Sequence, residues 1–171
     1  MTRYCTTCGS PTTQQTEKQN LWVCENKHDN WINPVAGSIV FVIKDGQALF
    51  GVRSIDPNPG KLCLPGGFIE LGESAEQTAV REVKAELGID VTVIDFLGSY
   101  PSTYTNGRAT INFVFIADYT AGEVTPGDDL NGGDPMWRDI ENLPAQDDLA
   151  WEWYADAQKD LSEWWQRKPG K

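Results

Sequence analysis

The 171-residue sequence has no apolar run approaching the roughly 18 residues that a membrane span requires. Its first residues, MTRYCTTCGS, carry no apolar stretch of the kind found in a secretory leader. Neither a membrane-spanning nor a leader-directed chain is expected, and the cytoplasm is the expected location. Cations are scarce: 14 Lys and Arg stand against 25 Asp and Glu, for a net charge of -11. A surface of that sign repels a nucleic-acid backbone and an anionic bilayer, so neither is an expected partner. It repels a polyphosphate as well, so any phosphate chemistry on this chain calls for a bound divalent cation. Histidine occurs once and cysteine four times. So few thiols in a leaderless chain read as metal ligands or buried groups, not as a disulfide framework. Internal repeats and low-complexity tracts are also missing. The 40% hydrophobic content suffices for a packed core, and the length suits one ordinary domain with a small appendage.

Composition divides the chain in three. Residues 1–33 are polar and hold three of the four cysteines and the only histidine. Residues 34–145 alternate strand-like runs with turns around one strong helix, and residues 146–171 read as a terminal helix. Ser38–Ile43 is a β-branched and aromatic run that predicts a buried strand, and Asp45-Gly46 predicts a tight turn returning through Ala48–Val52. Asp56-Pro57-Asn58-Pro59-Gly60 is a loop. Further strands are expected at Val91–Ile94, over 110–119 and near Met136-Trp137, giving a mixed α/β sandwich. The helix is bounded by Ser74 and Gln77, which fit a capping box, and by Gly88 as its stop; Ala79, Val80, Val83 and Leu87 supply its apolar stripe.

That helix carries the chemistry. Glu82 and Glu86 are four residues apart and so adjacent on its surface, where two like charges call for a cation or a basic partner. Glu73 stands at the helix start, where the dipole favours a carboxylate, and Arg81 is able to orient a carboxylate through a bidentate bond. Carboxylate oxygens on a rigid element suit hard cations such as Mg²⁺. The turn Pro65-Gly66-Gly67 lets the backbone pass close to a ligand.

The stretch from Gly67 to Ile89 closely resembles the Nudix box. Gly67, Glu73, Arg81, Glu82, Val83, Glu86, Gly88 and Ile89 match its fixed positions, and Leu64-Pro65-Gly66-Gly67 and Glu70 match its usual lead-in. The resemblance implies a Nudix-type α/β/α sandwich with a mixed sheet over about residues 34–145. It also implies hydrolysis of a phosphoanhydride bond in a nucleoside-diphosphate derivative, with Mg²⁺ or Mn²⁺ at Glu82 and Glu86 and with Arg81 and Glu73 orienting Glu82. Arg53 stands where many relatives carry a substrate-contacting arginine; the competing reading is an ordinary surface charge. The water-activating base is either a box glutamate or an acid of the later loop, where Asp128 and Asp129 are the candidates beside a reading as a solvated turn. The chain departs at Ala85, where the family has another glutamate that usually helps coordinate the metals.

Cys5-Thr-Thr-Cys8 followed by Cys24 and His28 has the spacing of a Cys₃His zinc ribbon, because a CxxC turn points two thiolates at one tetrahedral site. A polar segment this small needs such a staple to fold; the competing reading is reduced surface cysteines with His28 in solvent. Four protein ligands leave no open position, so this Zn²⁺ is expected to be structural. The arrangement looks like the ribbon that precedes the catalytic domain in several Nudix subgroups, including one that cleaves NADH, although that subgroup's proline-rich signature is not found after the box. Cys63 reads as a buried core thiol. In the last segment Trp153 or Tyr154, Ala157, Leu161 and Trp164 or Trp165 form a stripe expected to dock on the sandwich. Tyr104 and Trp137 read as core aromatics that are also able to stack on a base.

Three functions compete at this level: a metal-dependent pyrophosphohydrolase acting on a small nucleotide, a catalytically weak nucleotide-binding or sensor module suggested by Ala85, and a ribbon that recruits a protein. ADP-ribose, NADH, nucleotide sugars and nucleoside triphosphates all stay open as substrates, and a homodimer is an open expectation from the family.

Overall fold

The computed structural model describes residues 2–104 and 106–168. Its contacts divide the chain into two compact units, Met1–Pro34 and Val35–Lys171. The first is a small antiparallel sheet of β1 (Arg3–Tyr4), β2 (Pro11–Gln14), β3 (Leu21–Cys24) and β4 (Asp29–Trp31), paired in that order. Its buried apolar residues are Cys5, Leu21 and Cys24.

The second unit is built on β5 (Val35–Lys44), β6 (Gln47–Val52), β7 (Leu62–Cys63), β8 (Gly66–Phe68), α1 (Ala75–Leu87), β9 (Asp90–Thr103), β10 (Ala109–Ala121), β11 (Met136–Asp139) and α2 (Tyr154–Arg167). The sheet runs β11-β6-β5-β10-β9, with β7 on β6 and β8 on β5. The β5–β10 pair is parallel and the other pairs are antiparallel, so the sheet is mixed. The buried run Ser38–Ile43 fills the middle of β5. Asp45 and Gly46, at φ of 50° and 78°, form the two-residue turn to β6; positive φ at both central positions is what a turn matched to strand twist demands. Side chains alternate across β5. Ser38 donates to the Ala75 carbonyl of α1, while Gly37, through Asn112, lies in register with Tyr100, whose hydroxyl donates to Asp160 of α2. The two helices therefore cover opposite faces of the mixed sheet, giving an α/β/α sandwich.

Both ends of α1 follow the sequence. The Ser74 and Gln77 side chains bond each other's backbone N–H groups, and Gly88 ends the helix at φ 72°. One residue of the expected stripe changes. Thr78, Ala79, Val83 and Leu87 are buried, whereas Val80 lies about 100° round the helix from Ala79 and is 40% exposed. Thr78 is accepted into the buried face because its hydroxyl donates to Glu73 at 2.7 Å. From residue 146 the chain first makes a single 3₁₀ turn, Gln146–Asp148, then lies against β7, where Leu149 bridges Leu62 and the Ala150 N–H donates to the Leu62 carbonyl, and turns again at Glu152–Trp153. Only at Tyr154 does α2 begin, burying Tyr154, Ala157, Gln158 and Leu161; residues 169–171 of the expected segment lie outside the described residues. No helix among the described residues is long and apolar enough to cross a membrane.

Candidate active site

The short strand β8 pairs with β5, Ser38 opposite Gly67 and Ile39 opposite Gly66, and this brings the glycine turn under α1. A β-carbon on Gly66 would lie 2.3 Å from the Ser38 carbonyl oxygen, and one on Gly67 would lie 2.2 Å from Glu82 Oε1. Glycine at 67 is thus the space into which the Glu82 carboxylate fits. The Gly66 N–H donates to Glu86 Oε2 at 2.8 Å, so the same turn orients both helix glutamates.

Arg81 ties the helix start to its middle. Its Nε and Nη2 donate to the two oxygens of Glu73 at 2.7 and 2.9 Å, and its Nη1 donates to Glu82 Oε1 at 2.7 Å. Nη2 also reaches the Phe68 carbonyl at 3.3 Å. This fork fixes one carboxylate with two parallel bonds and aims a second. The bonds from Arg81, then that from Thr78, hold the Glu73 carboxyl down at about 2. Glu73 is therefore a permanent anion that anchors Arg81.

Glu86 behaves in the opposite sense. Burial pushes it up to about 8 against the lowering effect of the Gly66 N–H, and the negative charges of Glu82 and Asp129 add to the rise, with Arg53 opposing. Such a set of carboxylates is under-compensated by the protein's own cations, which is what a divalent-cation site presents before it is loaded. The donors are hard oxygens on a rigid helix, and they fit Mg²⁺ or Mn²⁺.

Glu86, Gly66 and Gly67 line one end of a cavity of about 190 Å³. Arg53 lines it too and is only 7% exposed, which removes the reading as a surface charge. Its Nε donates to the Pro57 carbonyl at 2.6 Å and its Nη2 to the Asp56 carbonyl at 3.0 Å, and its guanidinium lies 5.5 Å from the Trp151 ring centre. Of the two loop acids, Asp129 lines the cavity. Both acids are exposed, and the Asp128 carbonyl accepts the Ser54 hydroxyl. Ala85 is exposed and belongs to a separate shallow groove with Val80, Lys84 and Val93. Cys63 lies buried against the Tyr154 hydroxyl at 3.5 Å, and burial raises its thiol, so it is inert as a nucleophile.

The first unit gathers the other predicted ligands. One ligand atom from each of Cys5, Cys8, Cys24 and His28 lies within 4.8 Å of the rest. Cys5 Sγ is 3.7 Å from His28 Nδ1, and Cys8 Sγ is 3.8 Å from Cys24 Sγ. N–H groups are aimed at the sulfurs: Asn30 Nδ2 and the Thr7 amide at Cys5, and Asn26 Nδ2 at Cys8, at 3.4 to 3.5 Å. Burial opposes the Cys5 thiolate, but Asn30 and the backbone amides outweigh it and bring Cys5 to about 5, while Asn26 leads in bringing Cys8 to about 7. Burial raises the Cys24 thiol instead, so two of the three thiols are biased toward thiolate; three sulfurs and an imidazole brought together, with donors around them, fit a tetrahedral cation such as Zn²⁺.

Sequence reasoning missed much of the cavity wall. Trp151 lies within the segment expected to be helical, yet it faces the cavity, its ring centre 5.3 Å from that of Tyr104. Tyr104 is likewise part of the wall, whereas Trp137 stands edge-on to Tyr119 and is not among the residues lining this cavity. Ser102, Thr110 and Asn112 form a polar floor. The available signal was a polar residue, Asn112, at the second position of the otherwise apolar run from Ile111 to Ile116.

Comparison with known proteins agrees with this geometry. The model of the NUDIX domain matches residues 32–161. An ADP-ribose pyrophosphatase of Methanocaldococcus jannaschii is 36% identical over 119 residues, covering 69% of each protein. A NAD-capped RNA hydrolase NudC of Vibrio cholerae is 35% identical over 144 residues, covering 83% of this chain and 51% of that one. The chain thus spans about half the length of its NudC relatives. In fold it is similar to a NUDIX hydrolase from Nitrosomonas europaea, with a TM-score of 0.74 at 20% identity over 97% of this chain and 92% of the other.

Proposed function

This chain belongs to the NUDIX family, and from that premise we propose that it is a divalent-metal-dependent pyrophosphohydrolase of nucleoside-diphosphate derivatives, of the ADP-ribose, NADH or nucleotide-sugar class. The observation that carries the reading is the bonded chain Glu73–Arg81–Glu82 beside Glu86, which is held by the Gly66 N–H at the end of a base-sized cavity. The relatives named for ADP-ribose and for NAD-capped RNA support the substrate class.

Glu82 and Glu86 are the residues that would hold Mg²⁺ or Mn²⁺. When bound, the cation neutralises charge on the phosphate oxygens and lowers the pKa of bound water. Arg81, anchored by Glu73, keeps the Glu82 carboxylate in one orientation, which spares reorganisation when substrate arrives. Asp129, the loop acid that lines the cavity, takes the proton of the attacking water in this reading. Arg53, locked by two carbonyls, supplies the positive charge that a diphosphate needs within a protein of net charge -11. Ala85 removes one family metal ligand, whereas Glu82, Glu86 and the Arg81–Glu73 pair that orients Glu82 are all present, and that remaining set favours the enzyme over the sensor module.

Cys5, Cys8, Cys24 and His28 form, in this reading, a structural zinc ribbon in residues 1–33, with four protein ligands and no open position for water. The cytoplasm is its location, where reduced thiols persist.

The test is product analysis by chromatography after incubation with NADH, ADP-ribose, nucleotide sugars and nucleoside triphosphates, with Mg²⁺ and then Mn²⁺. Cleavage of one class, abolished by a chelator, is expected. A folded, zinc-loaded protein that turns over none of them would sink the proposal and bring the sensor module forward.

A further inference from the structure

The floor of the cavity holds a polar group whose orientation is determined. Asn112, 8% exposed, lies on β10 between Gly37 of β5 and Tyr100 of β9. Its side-chain nitrogen donates to the Tyr100 carbonyl oxygen at 3.1 Å and to the Ser102 hydroxyl oxygen at 3.1 Å. A backbone carbonyl is only an acceptor, so the atom facing it must be the amide nitrogen, and a flipped amide is excluded. The Ser102 hydroxyl is in turn bonded to Thr110 Oγ1 at 2.6 Å, which fixes it as well.

The other end of the amide, Oδ1, receives no hydrogen bond among the described residues, and it is not a sealed buried atom. It opens toward the cavity that Gly37 and Asn112 both line. Glycine at 37 keeps it open, since a β-carbon there would stand 3.0 Å from Oδ1. Around this acceptor the walls are aromatic: Phe68, Tyr104, Trp151 and Trp153. A flat aromatic ring entering between such walls meets a fixed hydrogen-bond acceptor at the bottom.

We infer that Asn112 Oδ1 is a specificity-determining group that accepts a hydrogen bond from the exocyclic –NH₂ of an aromatic ring on the substrate. The inference rests on the cavity being the substrate cleft of the hydrolase proposed above. Two halves of a dinucleotide carry that chemistry, the 6-amino group of adenine and the carboxamide of nicotinamide. A ring that presents only oxygen at the same place sets two acceptors against each other, and one that presents nothing leaves a buried acceptor unpaired.

The test reads binding, not turnover. Full-length protein is titrated with AMP against purine-riboside monophosphate, which lacks the amino group, and with nicotinamide mononucleotide against nicotinic acid mononucleotide. Tryptophan fluorescence reports binding, because Trp151 and Trp153 line the cavity. One pair is expected to show about tenfold or more tighter binding of the amino-bearing ligand, and which pair does so identifies the ring. In Asn112→Leu that ratio falls toward one. Gly37→Ala, which crowds Oδ1 without touching the bonds to Tyr100 and Ser102, is expected to shift the ratio the same way, and it covers the case where the first variant does not fold. Ratios within twofold for both pairs, no saturable signal from any of the four ligands, or a preference that survives both variants would each overturn the inference. A protein that prefers the amino-bearing ligand but hydrolyses nothing sinks the hydrolase reading alone, while hydrolysis without preference sinks only the role of Asn112.

Discussion

Residues 1–34 and 35–171 each gather a cluster of ligand side chains, but on different foundations. The first region carries three basic and three acidic residues, so the whole net charge of -11 resides in the second. Its buried apolar residues are Cys5, Leu21 and Cys24, two of which belong to the Cys5, Cys8, Cys24 and His28 cluster. In the second region Glu82 and Glu86 project from a helix whose other face packs Ala79, Val83 and Leu87 into a core that includes Val40, Phe41 and Ile116. The cysteine cluster of the first region makes up most of its buried core, whereas Glu82 and Glu86 stand on a core of apolar side chains. In the function proposed above, a metal in the ribbon would be a scaffold and a metal at Glu82 and Glu86 a reagent.

The sharpest way to break that contrast is Glu82→Gln, which keeps the shape and removes one charge. The expected loss in kcat is roughly 10²- to 10⁴-fold, the rate equivalent of several kcal/mol of charge stabilisation, with the thermal transition of the protein little changed. A near-normal rate on the cleaved substrate would remove Glu82 from the metal site. Cys24→Ser is the converse experiment. Zinc binding supplies on the order of 10–16 kcal/mol to units of this kind, and so small a core has nothing to replace it. Hydrogen exchange should find the amides of Thr12 and Val23 unprotected in this variant while those of Val40 and Val42 stay protected. Loss of protection in both regions together would show that the ribbon supports the sandwich and that the contrast is wrong.

How far the sequence alone reaches depends on how local each feature is. The capping box at Ser74, the stop at Gly88 and the Asp45-Gly46 turn are short-range rules, and the structure follows them. The Nudix box is legible because α1 and its preceding turn carry the Glu73–Arg81–Glu82 chain within ten residues. The cavity floor and far wall are not local. Asn112 acquires its meaning from register with Gly37 and Tyr100, 75 and 12 residues away. Trp151 reaches Tyr104 because Leu149 and Ala150 are tied to Leu62, a long-range pairing that no helical periodicity reports. Val80 illustrates the same limit within the helix: an apolar residue fits a stripe on paper, and a threonine with a carboxylate to bond displaces it.

The smallest expected effect is a pH dependence that separates the two kinds of metal site in metal-stripped protein. Glu86 is raised by burial, and then by Glu82 and Asp129, from an ordinary value near 4.5 to about 8. A group whose folded pKa lies above its unfolded one favours the folded state below the unfolded value, and that contribution is lost as pH rises through the folded value. With a chelator present, the second region should therefore lose stability as pH rises from about 4.5 to 8, and Glu86→Gln should flatten this part of the curve. Adding Mg²⁺ should restore stability most at the upper end, where the carboxylate is charged and the cation competes with no proton. Thermal denaturation of the two proteins across that range, with and without Mg²⁺, measures all three. If the wild type and Glu86→Gln run parallel, burial does not strain this carboxylate, and the under-compensated charge taken as the mark of a cation site is absent.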